Sequence, residues 1–213
     1  YDEQITLITI QIEANEASKK LAEENLEDLQ KTKAEAEETL EKLNADKAEQ
    51  EAILSGAQAE LAELNAARDI AVEAYNAQNK IYEDLIALID ALIEKYESLD
   101  VDKISDISAG DQVLIAEMLA SISDAVEGTE FEEAWATLLA FLGSGDNTIE
   151  DAINECQEFR ALIVQAKADA DEAEANAEAV YEEAKNELEN TIEETTKAIS
   201  DIQEQIDENQ ATL

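Results

Sequence analysis

The sequence predicts an all-α fold: a long antiparallel coiled-coil helical hairpin with a small helical tip domain. Three observations carry this reading. Apolar residues recur at alternating spacings of three and four from Ile5 to Leu99, and again from Ile149 to Leu213. Proline is absent, so nothing in either stretch forbids a continuous helix. The intervening segment 100–148 differs in kind, holding four of the five glycines, the only Trp and the only Met.

The first arm, 1–99, reads as one long coiled-coil helix. Counting heptads from Ile5 gives "a" positions that include Ile5, Ile12, Lys19, Leu26, Lys33, Leu40, Lys47 and Arg68, and "d" positions that include Ile8, Asn15, Ala22, Leu29, Ala36 and Leu64. Of the 28 seam positions 21 are apolar and none is acidic, although residues 1–99 contain 24 acids. Such exclusion of acid from one stripe is what a buried coiled-coil seam requires. Gly56 is the one interior glycine and could mark a bend, but the repeat runs through it, which predicts a single helix.

The segment 100–148 reads as a connector of short helices. Ser108 with Asp111 resembles an N-cap before an apolar run that Gly128 ends, and Thr129 with Glu132 fits a capping box for a helix closed by Gly143. Asn147 with Glu150 then caps the returning helix, 149–213. An apolar face including Leu114, Leu119, Phe131, Trp135, Leu138 and Leu139 would form the tip core. The return seam runs Ala152, Cys156, Phe159, Ile163, Ala166, Ala170, Ala173, Ala177, Val180, Ala184, skips one residue, and resumes from Leu188 to Leu213. A skip of this kind locally unwinds a supercoil without breaking the helix.

Folding about the middle of the connector sets residue n opposite roughly 248 − n. Leu99 then faces Ile149, and the small residues 166–184 face a stretch that carries Tyr75 and Tyr82. Residues 1–34 have no counterpart on the return arm, which leaves Ile5, Ile8, Ile12, Leu26 and Leu29 uncovered. An uncovered apolar stripe on a helix points to an intermolecular partner.

Charge excludes several functions. The chain carries 54 acids against 14 bases, a net charge of −40, and no histidine. Nucleic acid is excluded as a ligand, because that binding depends on Lys and Arg neutralising phosphate. Histidine triads, histidine metal ligands and histidine pH switches are absent. No run of 18 apolar residues exists, so membrane insertion by a helix is not expected. No catalytic residue is assigned and the chain is read as not an enzyme, its carboxylates being solvated helix faces.

Some residues admit two readings. Cys156 in the seam is either a buried structural thiol or a reactive one. Trp135 is either tip core or a platform for a ligand. Lys19, Lys33, Lys47 and Arg68 either snorkel at the seam edge or specify partner and register. No EF-hand loop is present, Asp100 and Asp102 being the nearest approach. Acid runs such as Asp169, Asp171, Glu172 and Glu174 could hold calcium diffusely and weakly, or not at all, so no tightly bound cofactor is expected.

An acidic, largely helical chain with the seams Ile5–Leu99 and Ile149–Leu213 resembles the trichocyst matrix proteins of ciliates and related granule lattice proteins. Tyr1 in place of Met fits their excision from longer precursors, as it fits any excised piece. The resemblance implies a structural protein that self-assembles, or co-assembles with paralogous helical proteins, into a crystalline or filamentous lattice. It implies a secretory granule, release by exocytosis, and packing controlled by calcium. The competing reading is a coiled-coil surface rod or scaffold whose tip around Trp135 binds a protein partner.

Overall fold

The computed structural model describes residues 2–212, so Tyr1 and the seam position Leu213 lie outside the described residues. Helix α1 spans Asp2–Glu97 without interruption, α2 Ala109–Val126, α3 Glu132–Leu142 and α4 Ile149–Thr212, with a 3-10 turn at Ile104–Asp106 before α2. The fold is all-α, with α1 and α4 packed closely as a hairpin. Two compact units divide it: a central unit, Leu64–Ala184, and a terminal unit made of the chain up to Glu63 and from Lys185 onward.

The central unit holds the main core. Tyr82, Leu85, Ile89, Leu92 and Tyr96 from α1 meet Ile115, Ile122 and Val126 from α2, Trp135, Leu138 and Leu142 from α3, and Ala152, Cys156, Phe159 and Ile163 from α4. Three aromatic contacts tie it together: Tyr82 meets Phe131 edge-on at 5.8 Å, Phe131 meets Phe159 edge-on at 6.3 Å, and Trp135 lies 5.4 Å from Phe159. Edge-to-face pairs of this kind add about 0.5–1.5 kcal/mol each beyond the area they bury. The chain enters and leaves the tip side by side, Ile104 N–H donating to Asn147 O at 3.1 Å and Ile149 N–H to Asp102 O at 3.0 Å. Antiparallel pairing of α1 with α4 is explicit here, in Asn65 with Tyr181, Arg68 with Glu174, Tyr75 with Asp171 and Asp90 with Arg160. Each partner lies within six residues of the position that 248 − n assigns.

The punctuation is as expected at the start of α2 and at the glycines that follow α2 and α3, and differs at the starts of α3 and α4. Ser108 Oγ accepts from Asp111 N–H at 3.2 Å and caps α2. Gly128, at φ 73°, turns the chain after α2 in the left-handed region that favours glycine. The expected capping box of Thr129 with Glu132 does not form: α3 is capped at Phe131 without a side-chain bond, Glu132 accepts from the N–H of Gly128, and Thr129 Oγ1 accepts from Phe131 N–H. The cap of α4 is Thr148 with Asp151, not Asn147 with Glu150: Asp151 N–H donates to Thr148 Oγ1 at 3.0 Å and Thr148 N–H to Asp151 Oδ2 at 3.3 Å. Asn147 is diverted to bind Phe141 O and Ser144 Oγ, which closes the loop after α3. Leu114, expected in the tip core, is exposed, because α2 buries the stripe Ile115, Ile122, Val126 and turns the neighbouring position out.

The terminal unit is a two-helix seam. Among residues 36–63 every residue that is not exposed is a predicted heptad position: Ala36, Leu40, Leu43, Lys47, Gln50, Leu54, Ala57 and Leu61. From α4, Leu188, Ile192, Thr195, Ile199, Ile202, Ile206 and Asn209 face the seam, as the resumed repeat requires. Gly56 lies mid-helix with nothing within 4 Å of where a Cβ would stand. Gly56→Ala should therefore raise stability by about 0.5–1 kcal/mol, the helix-propensity difference, read as an upward shift in the urea midpoint.

Cys156 is completely buried, which decides between its two readings in favour of a structural thiol. Burial, helped by the charge of Glu155, pushes the thiol from an ordinary 9.0 up to about 12. Burial likewise pushes Tyr96 from 10.0 to about 12. Both groups are held neutral in the fold while the unfolded chain would release their protons earlier. Their contribution to stability is therefore complete below about pH 9 and is lost as pH rises through about 12. Alkylation of the native protein at pH 8 should leave Cys156 unmodified, and circular dichroism should show unfolding that begins above about pH 9.

Candidate assembly interface

The seam of α1 does not end where its cover ends. Every described residue from 2 to 35 whose side chain is placed is exposed, and Ala36 is the first that is not. The exposed stretch includes Ile5, Ile8 and Ile12 at 51–60% and Leu26 and Leu29 at 55% and 67%, in the same heptad phase as the covered positions that follow. The expected overhang of residues 1–34 is thus present over its described part, 2–34. Three apolar residues outside the seam, Leu7, Ile10 and Leu21, are exposed as well, and residues 4–12 carry no charge at all.

The basic seam residues divide into two groups by this cover. Lys47, in the covered part, reaches across to Gln203 Oε1 at 2.9 Å and also pairs with Glu51 at 3.5 Å. Lys19 and Lys33, in the uncovered part, pair along their own helix with Glu23 at 3.5 Å and Glu37 at 3.7 Å, their side chains 75% and 64% exposed. Surface pairs of that type contribute little.

Arg68, in the central unit, is the most enclosed of the four, its side chain 11% exposed. It donates to both oxygens of Glu174, lies 2.5 Å from Glu178, and stands 5.9 Å over the ring of Tyr181. Tyr181 in turn donates to Asn65 Oδ1 at 2.8 Å. The guanidinium has pulled two acids toward a seam from which sequence excluded acid.

That draw overturns the expected alanine seam. Ala173 and Ala177 are exposed and Val180 is 67% exposed, while Glu174 and Tyr181 turn inward. On α1 the phase slips likewise, with Val72 and Asn79 covered in place of Ala71 and Gln78. The slip therefore precedes the skip expected after Ala184. An alanine buries too little apolar area to hold its face against a charge-assisted pair. The result is an open apolar groove of about 450 Å³ lined by Ala67, Ala71, Ala177, Val180 and Ala184 beside Arg68 and Tyr181.

The chain matches no family model, no curated protein and no solved structure. Trp135 is 2% exposed, with its indole N–H donating to Ser123 Oγ at 2.8 Å, so it is tip core and not a surface platform. Among the described residues no three acid or thiol side chains converge into a metal-holding group. No described helix is long and apolar enough to cross a membrane. The overhang was legible from the heptad count. The groove was missed, and its signal was Arg68 in a seam opposite alanines with acids at 174 and 178.

Arg68→Ala would leave Glu174 and Glu178, neighbours one turn apart on α4, side by side at the seam without a cation. The variant should unfold at a lower temperature at pH 7, and adding Glu174→Gln with Glu178→Gln should shrink its deficit. Paired thermal scans of the two variants test this, and a deficit unchanged by the added substitutions would mean that lost packing, not charge, explains the effect.

Proposed function

We propose that this is a structural protein which assembles, with itself or with related helical chains, into a filamentous or crystalline lattice of a secretory organelle. The observation that carries the reading is the uncovered, in-phase seam of residues 5–29. Apolar area of that kind is favourable to bury, and nothing among the described residues covers it.

Charge supplies the control. At a net charge of −40, two copies approaching side by side repel over a Debye length of about 8 Å at physiological salt. Divalent cations, which collect along acid-rich faces without needing a defined cage, would relieve that repulsion. The exposed faces of α4 carry such acid in Asp169, Glu172, Glu183 and Glu187. Calcium is then a regulator of packing and not a resident cofactor. The rival reading, a rod whose tip binds a partner through Trp135, loses its anchor because Trp135 is enclosed.

Light scattering with parallel circular dichroism tests the proposal in a calcium titration at fixed ionic strength, with magnesium alongside. Particle mass should rise steeply with calcium, reverse on chelation, and keep its helicity. Replacing Ile5, Ile8 and Ile12 with Glu should abolish the rise. Particles indifferent to calcium would remove the mechanism.

A further inference from the structure

We propose that the partner of the N-terminal seam is the same segment of a second copy, packed antiparallel about a twofold axis in the register that sets residue n against residue 34 − n. This rests on the reading of residues 5–29 as an assembly surface and names its occupant.

The pairing follows from the order of residues along the seam, which is apolar at both ends and polar in the middle. In this register Ile5 meets Leu29, Ile8 meets Leu26, Ile12 meets Ala22 and Asn15 meets Lys19, each contact occurring twice about the axis. Six apolar layers thus flank two layers in which an amide faces an ammonium. A slide of one heptad in either direction spoils the match. One slide sets Lys33 against Ile8 and Asn15 against Leu26, and the other sets Lys19 against Ile8 and Asn15 against Ile12. Parallel pairing in register stacks Lys19 on Lys19 and Lys33 on Lys33. A single polar layer is known to fix register and orientation at a cost in stability, and here it selects one arrangement. A twofold interface of this kind is self-complementary by construction.

Two further observations favour a second copy over an unrelated partner. The first is charge. Across the seam and flanking heptad positions of the paired segment 5–29, Lys19 stands against Glu16 and Glu23, so this strip carries one net negative charge in a chain of charge −40. Two copies can meet there with far less repulsion than operates elsewhere. The second is continuity with an interface already formed. At the next lysine of the series, Lys47, the seam ammonium donates across to the side-chain amide of Gln203. Lys19 facing Asn15 of a second copy is an ammonium–amide contact of the same kind and antiparallel sense, with the lysine in the same heptad phase and the amide in the seam where Gln203 flanks it at Ile202.

The test uses the intact chain. Sedimentation equilibrium at about 0.15 M salt, where charges are screened beyond about 8 Å, should show a dimer, and Ile8→Glu with Ile12→Glu should weaken it at least tenfold. Ile5→Cys and Leu29→Cys chains are then mixed in a glutathione redox buffer and the disulfides identified by mass spectrometry. A 5–29 cross-link without a 5–5 cross-link is expected, and buried Cys156 should stay out of both. Adding Asn15→Leu and Lys19→Leu to both chains should preserve the dimer and let 5–5 cross-links appear. A 5–5 cross-link in the parent pair, or a dimer giving neither, overturns the register. A wild-type chain that stays monomeric overturns self-pairing. If calcium still builds large particles from that monomer, assembly survives with another partner, and if it does not, both readings fall.

Discussion

A chain with 40 more negative than positive charges can close on itself only along a line from which acid is excluded. The rest of the structure depends on that line. In the terminal unit it is two helices wide, and its covered positions from Ala36 to Leu61 contain one charge, the cation of Lys47. In the central unit it broadens into a core where α2 and α3 add their own apolar faces and aromatic rings lock the packing. Charge enters the interior as Arg68, and there it recruits Glu174 and Glu178 and displaces the alanines that should have faced it. Hydrophobic burial sets where the helices touch, and the few cations decide where that rule yields.

Much of this was readable from residue order because a heptad repeat is a local signal. Leu40, Leu43, Leu54 and Leu61 are covered where the count placed them, and the resumed seam from Leu188 to Asn209 is covered throughout. The uncovered face of α1 follows from the same count together with unequal arm lengths. The misses share a different cause. Asn147 and Thr148 are both good caps, and the choice between them turned on a bond from Asn147 to Phe141 O that no local pattern reveals. Leu114 and Ile115 are both apolar, and which one α2 buries depends on the faces of α1 and α3 it meets. The groove beside Arg68 required knowing that an ion pair outweighs the small area of an alanine. Local periodicity specifies a face, and tertiary competition settles its exact phase where the apolar signal is weak.

The candidate surface and the core have opposite demands. In the core, Cys156 and Tyr96 are sealed among apolar groups and kept neutral. On the overhang, Ile5, Ile8 and Ile12 stand in water at a cost that a solitary chain has no means of recovering. In the proposed assembly the acidic faces would keep such chains apart while the uncovered stripe favours their meeting, so association would become a matter of ionic conditions. That antagonism is the physical basis for reading the molecule as a building unit.

The continuity of α1 through Gly56 also constrains how such a molecule can change. A helix advances 1.5 Å and turns about 100° per residue, so inserting one residue before Ala36 would swing the uncovered stripe a quarter turn away from the covered one. Only insertions or deletions of about seven residues keep both on one side, each altering the reach of the segment by about 10 Å. The overhang is in effect a ruler with coarse graduations. Its length can be revised in whole heptads and hardly otherwise, and any spacing it sets between joined units would come in the same steps.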